Sequence, residues 1–178
     1  MLTPLFLQDK KDKIMHLQYS NKYGRNLFKT KLVAGIITAL IITTIELIIC
    51  LILYSSNNTN MFFKSNINSV FNNCFRFSLT FYLYIILTIV ATYIISIIVS
   101  FISMFISSNS NSYITSIGIQ IPVLFITCLL TSKLLVNNLF VLYMPLYLLI
   151  FTYVILISVT MILIIKRIRK EHYLDIML

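Results

Sequence analysis

Four uninterrupted apolar runs decide what this chain can fold into. They cover about residues 32–54, 79–106, 113–132 and 139–165. As a helix rising about 1.5 Å per residue, each is long enough to cross a hydrocarbon core of roughly 30 Å. A backbone in lipid has no water to bond, so a spanning segment must satisfy its own N–H and C=O groups, as an α-helix does. The pattern predicts an all-α integral membrane protein. It is a four-span transmembrane helix bundle with a short N-terminal amphipathic cytoplasmic helix. Composition agrees: 59% of the 178 residues are hydrophobic, 11% are charged and the mean hydropathy is +0.94. A soluble domain carries about 25% charged residues.

The formal net charge is +9. In a soluble protein that would point to nucleic acid, but here the basic residues sit in the tails, so no nucleic-acid partner is expected. Lys10, Lys11, Lys13, Lys22, Arg25, Lys29 and Lys31 precede the first run, and Lys166, Arg167, Arg169 and Lys170 follow the last. The first and third loops hold only Lys64, Arg76 and Lys133. By the positive-inside rule both termini are cytoplasmic, which four spans satisfy. The chain thus divides into a cytoplasmic amphipathic segment (1–31), a transmembrane domain (32–165) and a basic tail (166–178). In the first segment Ile14, Met15, Leu17 and Tyr19 interleave with Lys10, Lys11, Lys13 and His16, giving one apolar and one basic side that can lie on a lipid bilayer. Gly24 then permits a turn. The loop after the first run is rich in Asn and Ser, and its middle, Met61 to Phe77, is expected to lie on the membrane surface.

Polar residues inside the runs fall on stripes. Gly35, Ala39, Thr43, Glu46 and Cys50 are spaced by four, four, three and four, which is one face of a helix. Glu46 is the one ionisable residue deep in a run, about 21 Å from Leu32 and so in the outer half of the bilayer. A carboxyl there faces either a transport path or a helix-helix contact. The second run carries Thr80, Tyr84, Thr88, Thr92, Ser96, Ser100, Ser103 and Ser107, and the third Ser116, Gln120, Thr127 and Thr131. Glu46, Thr43, Thr88, Thr92, Ser96 and Gln120 form either an intramembrane polar path or a packing seam, because hydroxyls also let helices approach closely. Pro122 and Pro145 are candidate helix kinks, or Pro145 simply begins the membrane-embedded part of its run.

Catalysis has little to stand on. The sequence shows no paired carboxylates, no intramembrane His, no metal-ligand spacing and no Gly-rich phosphate loop, so neither enzyme activity nor a cofactor is expected. Cys50, Cys74 and Cys128 are scattered and make no metal pattern.

The order Asp9, a short helix from Ile14 to Gln18, the turn Lys22-Tyr23-Gly24-Arg25 and Lys31 entering an apolar run resembles a segment of bacterial type-2 ABC exporter permeases. In that family it precedes the third membrane helix and forms the coupling helix on which the ATP-binding subunit sits. The four runs and the basic tail resemble the family's last four helices and its C-terminus. The resemblance implies a permease subunit of an ABC-type exporter in the bacterial cell membrane, driven by a separate ABC ATPase. That ATPase would dock on Asp9, Ile14, Leu17, Gly24, Arg25 and Lys31. The family often has Glu where Asp9 stands and Gly where Lys13 stands, and it usually has six spans. MLTPLFLQ looks like the stub of the second. The chain is therefore expected to be the C-terminal part of a permease, working with a second permease chain or with N-terminal spans supplied elsewhere. The other reading is a small four-span immunity or accessory protein without transport activity.

Overall fold

The computed structural model describes residues 27–70, 75–110, 112–130, 141 and 145–174. Most of them lie in four helices: α1 (Leu27–Ser55), α2 (Phe81–Asn109), α3 (Tyr113–Leu130) and α4 (Leu146–Leu174). All four are long and apolar enough to cross a membrane. Among the described residues there are two isolated β-bridges and no strand. The protein is an all-α, multi-pass membrane protein. The expected amphipathic helix before residue 27 lies outside the described residues. At 29 residues each, α1, α2 and α4 extend about 44 Å and overshoot the hydrocarbon, whereas the 18 residues of α3 reach only about 27 Å.

Side-chain pattern decides which way each helix faces. On α1, Ile37, Ile41, Ile45, Ile48 and Ile52 are all more than half exposed and repeat at four, four, three and four. That stripe is left uncovered by the rest of the chain's described residues, and its branched apolar side chains suit contact with acyl chains or another apolar helix. The opposite stripe turns inward at Gly35 and Ala39, both buried. Lipid supplies no hydrophobic drive between helices, so close approach of small residues and interhelical hydrogen bonds hold them instead. α2 is central and packs against α1, α3 and α4. Its crossing with α1 is tightest at Gly35, where Met104 lies against the space a β-carbon would fill. Met104 is 1% exposed and packs among Leu32, Ile36 and Phe101. At the same crossing the Ser100 hydroxyl donates to the Gly35 carbonyl at 3.4 Å.

Helix ends follow from capping chemistry. The Thr80 hydroxyl accepts from the Leu83 N–H at 3.4 Å and starts α2. At its far end the Ser110 hydroxyl donates to the Ile106 carbonyl at 2.8 Å. Ser112 and Thr115 then open α3 reciprocally. The Ser112 hydroxyl accepts from the Thr115 N–H at 3.2 Å, and the Thr115 hydroxyl accepts from the Ser112 N–H at 3.3 Å. A run of serines thus closes one helix and begins the next. α4 starts at Leu146, seven positions after the expected Leu139, because the pyrrolidine of Pro145 suits a helix start and not its interior. It continues past Ile165 through the basic run to Leu174, since helix hydrogen bonding does not stop where the hydrocarbon does.

The described part of the α1–α2 loop, which the sequence places at the membrane surface, has an internal fold of its own. It folds back on the start of α2. Ile67 donates to the Leu79 carbonyl at 2.9 Å, Phe81 to that of Ser65 at 3.1 Å and Tyr82 to that of Phe63 at 3.3 Å. Ile67 is fully buried, and Phe63 stacks on Phe81 with centroids 6.3 Å apart. Tyr54, at the end of α1, meets Phe81 at 6.4 Å. A bridge between Phe75 and Val141 ties this cap to the segment before α4, so the first and third loops lie at the same end of the bundle.

Candidate functional site

α1 and α3 each pack on α2, and no comparably close packing joins them to each other. The space left between them is a cleft of about 530 Å³, within the range of small-molecule sites. It lies along the middle of α1 and α3 and the half of α2 toward Asn109. Thr43 and Glu46 reach it from α1, Ser96, Ser100 and Ser103 from α2, and Gln120 from α3. Ile42, Val99, Ile106 and Val123 make the remaining wall largely apolar.

Each polar group arrives there for a local reason. The α1 stripe faces α2 because Gly35 and Ala39 permit the close crossing, and Thr43 and Glu46 are its next members outward. The Thr43 hydroxyl donates to the Ala39 and Leu40 carbonyls, both at 3.0 Å, as hydroxyls do on membrane helices. Ser100 spends its proton on the Gly35 carbonyl. Gln120 crosses from α3 and donates through Nε2 to the Ser103 hydroxyl at 3.1 Å and the Ser103 carbonyl at 3.3 Å. Bonds of this kind contribute about 0.6 kcal/mol on average between membrane helices, so the Gln120–Ser103 contact sets register more than it binds the bundle.

Glu46 is exposed at the mouth of the cleft and makes no hydrogen bond or ion pair among the described residues. A charge at that depth costs about 2.5–3.5 kcal/mol on insertion scales, and such residues face cavities or partners and not bare lipid. No group of three His, Cys, Asp or Glu side chains that could hold a metal occurs among the described residues.

Of the residues singled out in the sequence, Thr43, Glu46, Ser96 and Gln120 come together here. Thr88 and Thr92 do not line the cleft. Their hydroxyls donate to the Ile85 and Ile89 carbonyls, each at 2.7 Å, on their own helix. Each four-residue step turns about 40° around a helix, so Thr88 lies about 80° away from Ser96 and two steps nearer the capped end. Pro122 sits inside α3, where it leaves the Gly118 carbonyl without its helical donor, and Pro145 sits immediately before α4 instead of within a helix. Lys31 is partly buried near the start of α1, about 22 Å from Glu46 along the helix. Asp9, Ile14, Leu17, Gly24 and Arg25 lie outside the described residues. Ser103 and the apolar wall were not singled out as site residues. The stripes show which face of each helix is polar, but not which level of one helix meets which level of the next.

Scans against protein-family models, curated proteins and solved structures find no match to this chain.

Proposed function

We propose that this chain is the membrane-spanning permease subunit, or the C-terminal part of one, of an ATP-driven exporter in the bacterial cell membrane. The observation that carries the reading is the cleft between α1 and α3. It sets a carboxyl and several hydroxyls around a space of ligand size midway along two membrane-spanning helices, where a packing seam would be closed. The chain has no phosphate loop of its own, so a separate ATPase must supply the drive. Resemblance of the segment from Asp9 to Lys31 to a coupling helix makes that segment the docking point, and the Lys and Arg bias puts it on the cytoplasmic side with the C-terminus. A second permease chain, or N-terminal spans from another chain, would complete the translocation route beside the cleft.

The test is gentle solubilisation of the tagged protein from its native membrane, with identification of what co-purifies, for the wild type and for Arg25→Glu. Recovery of a soluble ATPase with the wild type, and its loss in a variant that still inserts, is the expected result. Absence of an ATPase under conditions that preserve other membrane complexes overturns the reading and leaves the accessory or immunity protein in its place.

A further inference from the structure

The hydrogen-bonding state of the cleft restricts what can occupy it. Thr43 commits its hydroxyl proton to carbonyls of its own helix and Ser100 commits its proton to Gly35, so both present only lone pairs to the space between the helices. The Ser96 hydroxyl makes no hydrogen bond among the described residues, so it can accept, or donate its one proton. Facing a cation, the Glu46 carboxyl offers acceptor oxygens. The polar side of the cleft is therefore rich in acceptors and holds one carboxyl, with no Lys, Arg or His among the described residues of its wall. Its other side is the aliphatic wall of Ile42, Val99, Ile106 and Val123. A bare metal ion is a poor match, since hard cations take about six or more oxygen ligands and only one carboxylate is present. Anions would meet the acceptors with the wrong charge, and the charged groups of a water-soluble zwitterion would find no cationic partner on that wall for their negative end.

We propose that the cleft binds a lipophilic organic cation, whose charged centre sits beside Glu46 and whose apolar body lies against the aliphatic wall. Two observations meet in this assignment: a carboxyl without a partner among the described residues at the mouth of the cleft, and a cavity of about 530 Å³ between α1 and α3. A cation beside Glu46 would offset the cost of holding a carboxylate at that depth. Because α1 and α3 do not close on each other, such a ligand can enter sideways from the bilayer, where amphiphilic cations concentrate. The ligand class deepens the permease reading but is tested apart from it.

The experiment uses the full chain, purified alone and reconstituted in nanodiscs of zwitterionic lipid, titrated with tetraphenylphosphonium and with tetraphenylborate. These two ions share size and shape and differ in the sign of charge. Saturable binding of tetraphenylphosphonium above empty nanodiscs, with none of tetraphenylborate, is expected. Glu46→Gln should weaken phosphonium binding at least about tenfold, as befits loss of an opposite charge, while Glu46→Asp should retain most of it. Thr43→Val, on the same wall and nearly isosteric, should weaken it a few-fold. Equal binding of the two ions, no saturable binding, or an unchanged affinity in a monodisperse Glu46→Gln overturns the proposal. The comparison of the two ions needs no variant, so a misfolded substitution does not rescue it. Failure of the titration while an ATPase still co-purifies removes the ligand class alone. Binding without an ATPase removes the exporter alone.

Discussion

Gly35 and Gly118 both lie inside transmembrane helices, and the same substitution should move stability in opposite directions at the two. Replacing a helical glycine by alanine gains about 1 kcal/mol, because glycine has more freedom to lose. At Gly118 nothing lies within 4 Å of the new β-carbon, so that gain should appear almost whole. At Gly35 the new carbon would overlap the Met104 sulfur and stand 3.1 Å from its terminal methyl. Met104 is flexible, but it is 1% exposed and held by Leu32, Ile36 and Phe101, so it has nowhere open to go. Overfilling a packed site costs about 1–3 kcal/mol. The net for Gly35→Ala runs from about zero to about 2 kcal/mol destabilising once propensity is subtracted. Gly35→Ala should therefore fall about 1–3 kcal/mol below Gly118→Ala. The assay is the fraction of protein remaining monodisperse in mild detergent after heating through a series of temperatures. Met104→Ala supplies the internal check. In its absence of bulk the Gly35→Ala penalty should vanish, so the double variant should be more stable than the sum of the singles by about 1–3 kcal/mol. Equal shifts for the two glycines, or additive singles, would show that α1 and α2 do not cross at this point.

Other outcomes follow from particular contacts. Gln120→Leu should cost only about 0.5–1 kcal/mol of thermal stability, because a membrane hydrogen bond is lost and an apolar side chain is gained, and a larger loss would mean that the Ser103 contact is structural. Pro122→Ala restores a donor for the Gly118 carbonyl and should stabilise α3 by roughly 1–3 kcal/mol, measured by the same heating assay, with no gain expected if that carbonyl already has another donor. Cysteines introduced at Phe75 and Val141, in a background lacking the native thiols, should form a disulfide on mild oxidation. Only an arrangement that puts the two loops at one end of the bundle allows it. A cysteine at Asn58 should react in intact cells with a membrane-impermeant maleimide if the capped end faces outward, and its protection would reverse the orientation taken from the charged tails.

How much of this was legible in the sequence varies with the kind of interaction involved. The four helices were legible because their signal is local: an unbroken run of Ile, Leu and Val needs no partner to be recognised. The α1 face was legible too, since isoleucines at 37, 41, 45, 48 and 52 leave the opposite stripe to packing. Boundaries were less so. Leu139 is as apolar as Leu146, so hydropathy alone does not choose between them, and only Pro145, readable as a kink or as a start, marks where the helix begins. The cleft was half legible: Thr43, Glu46, Ser96 and Gln120 meet, but the stripe carrying Thr88 and Thr92 drifts off the shared face, and only the interhelical register reveals that. The cap was hidden because its organising contacts, Phe63 on Phe81 and Ile67 under Leu79, pair residues with no periodic relation to one another.

The first two helices are fastened at both ends. Gly35 and Met104 meet at one, and Tyr54, Phe63 and Phe81 at the other. Every partner in these two fastenings lies between residues 35 and 104, ahead of α3 and α4 in the order of synthesis. Once residue 109 has left the ribosome, the hairpin holds all it needs to lock, and a nascent chain arrested shortly afterwards should already resist proteolysis within the loop. α3 and α4 then join a platform that is already built. The cleft, which needs α3, closes around its carboxyl only after the hairpin that carries Glu46 is already in place.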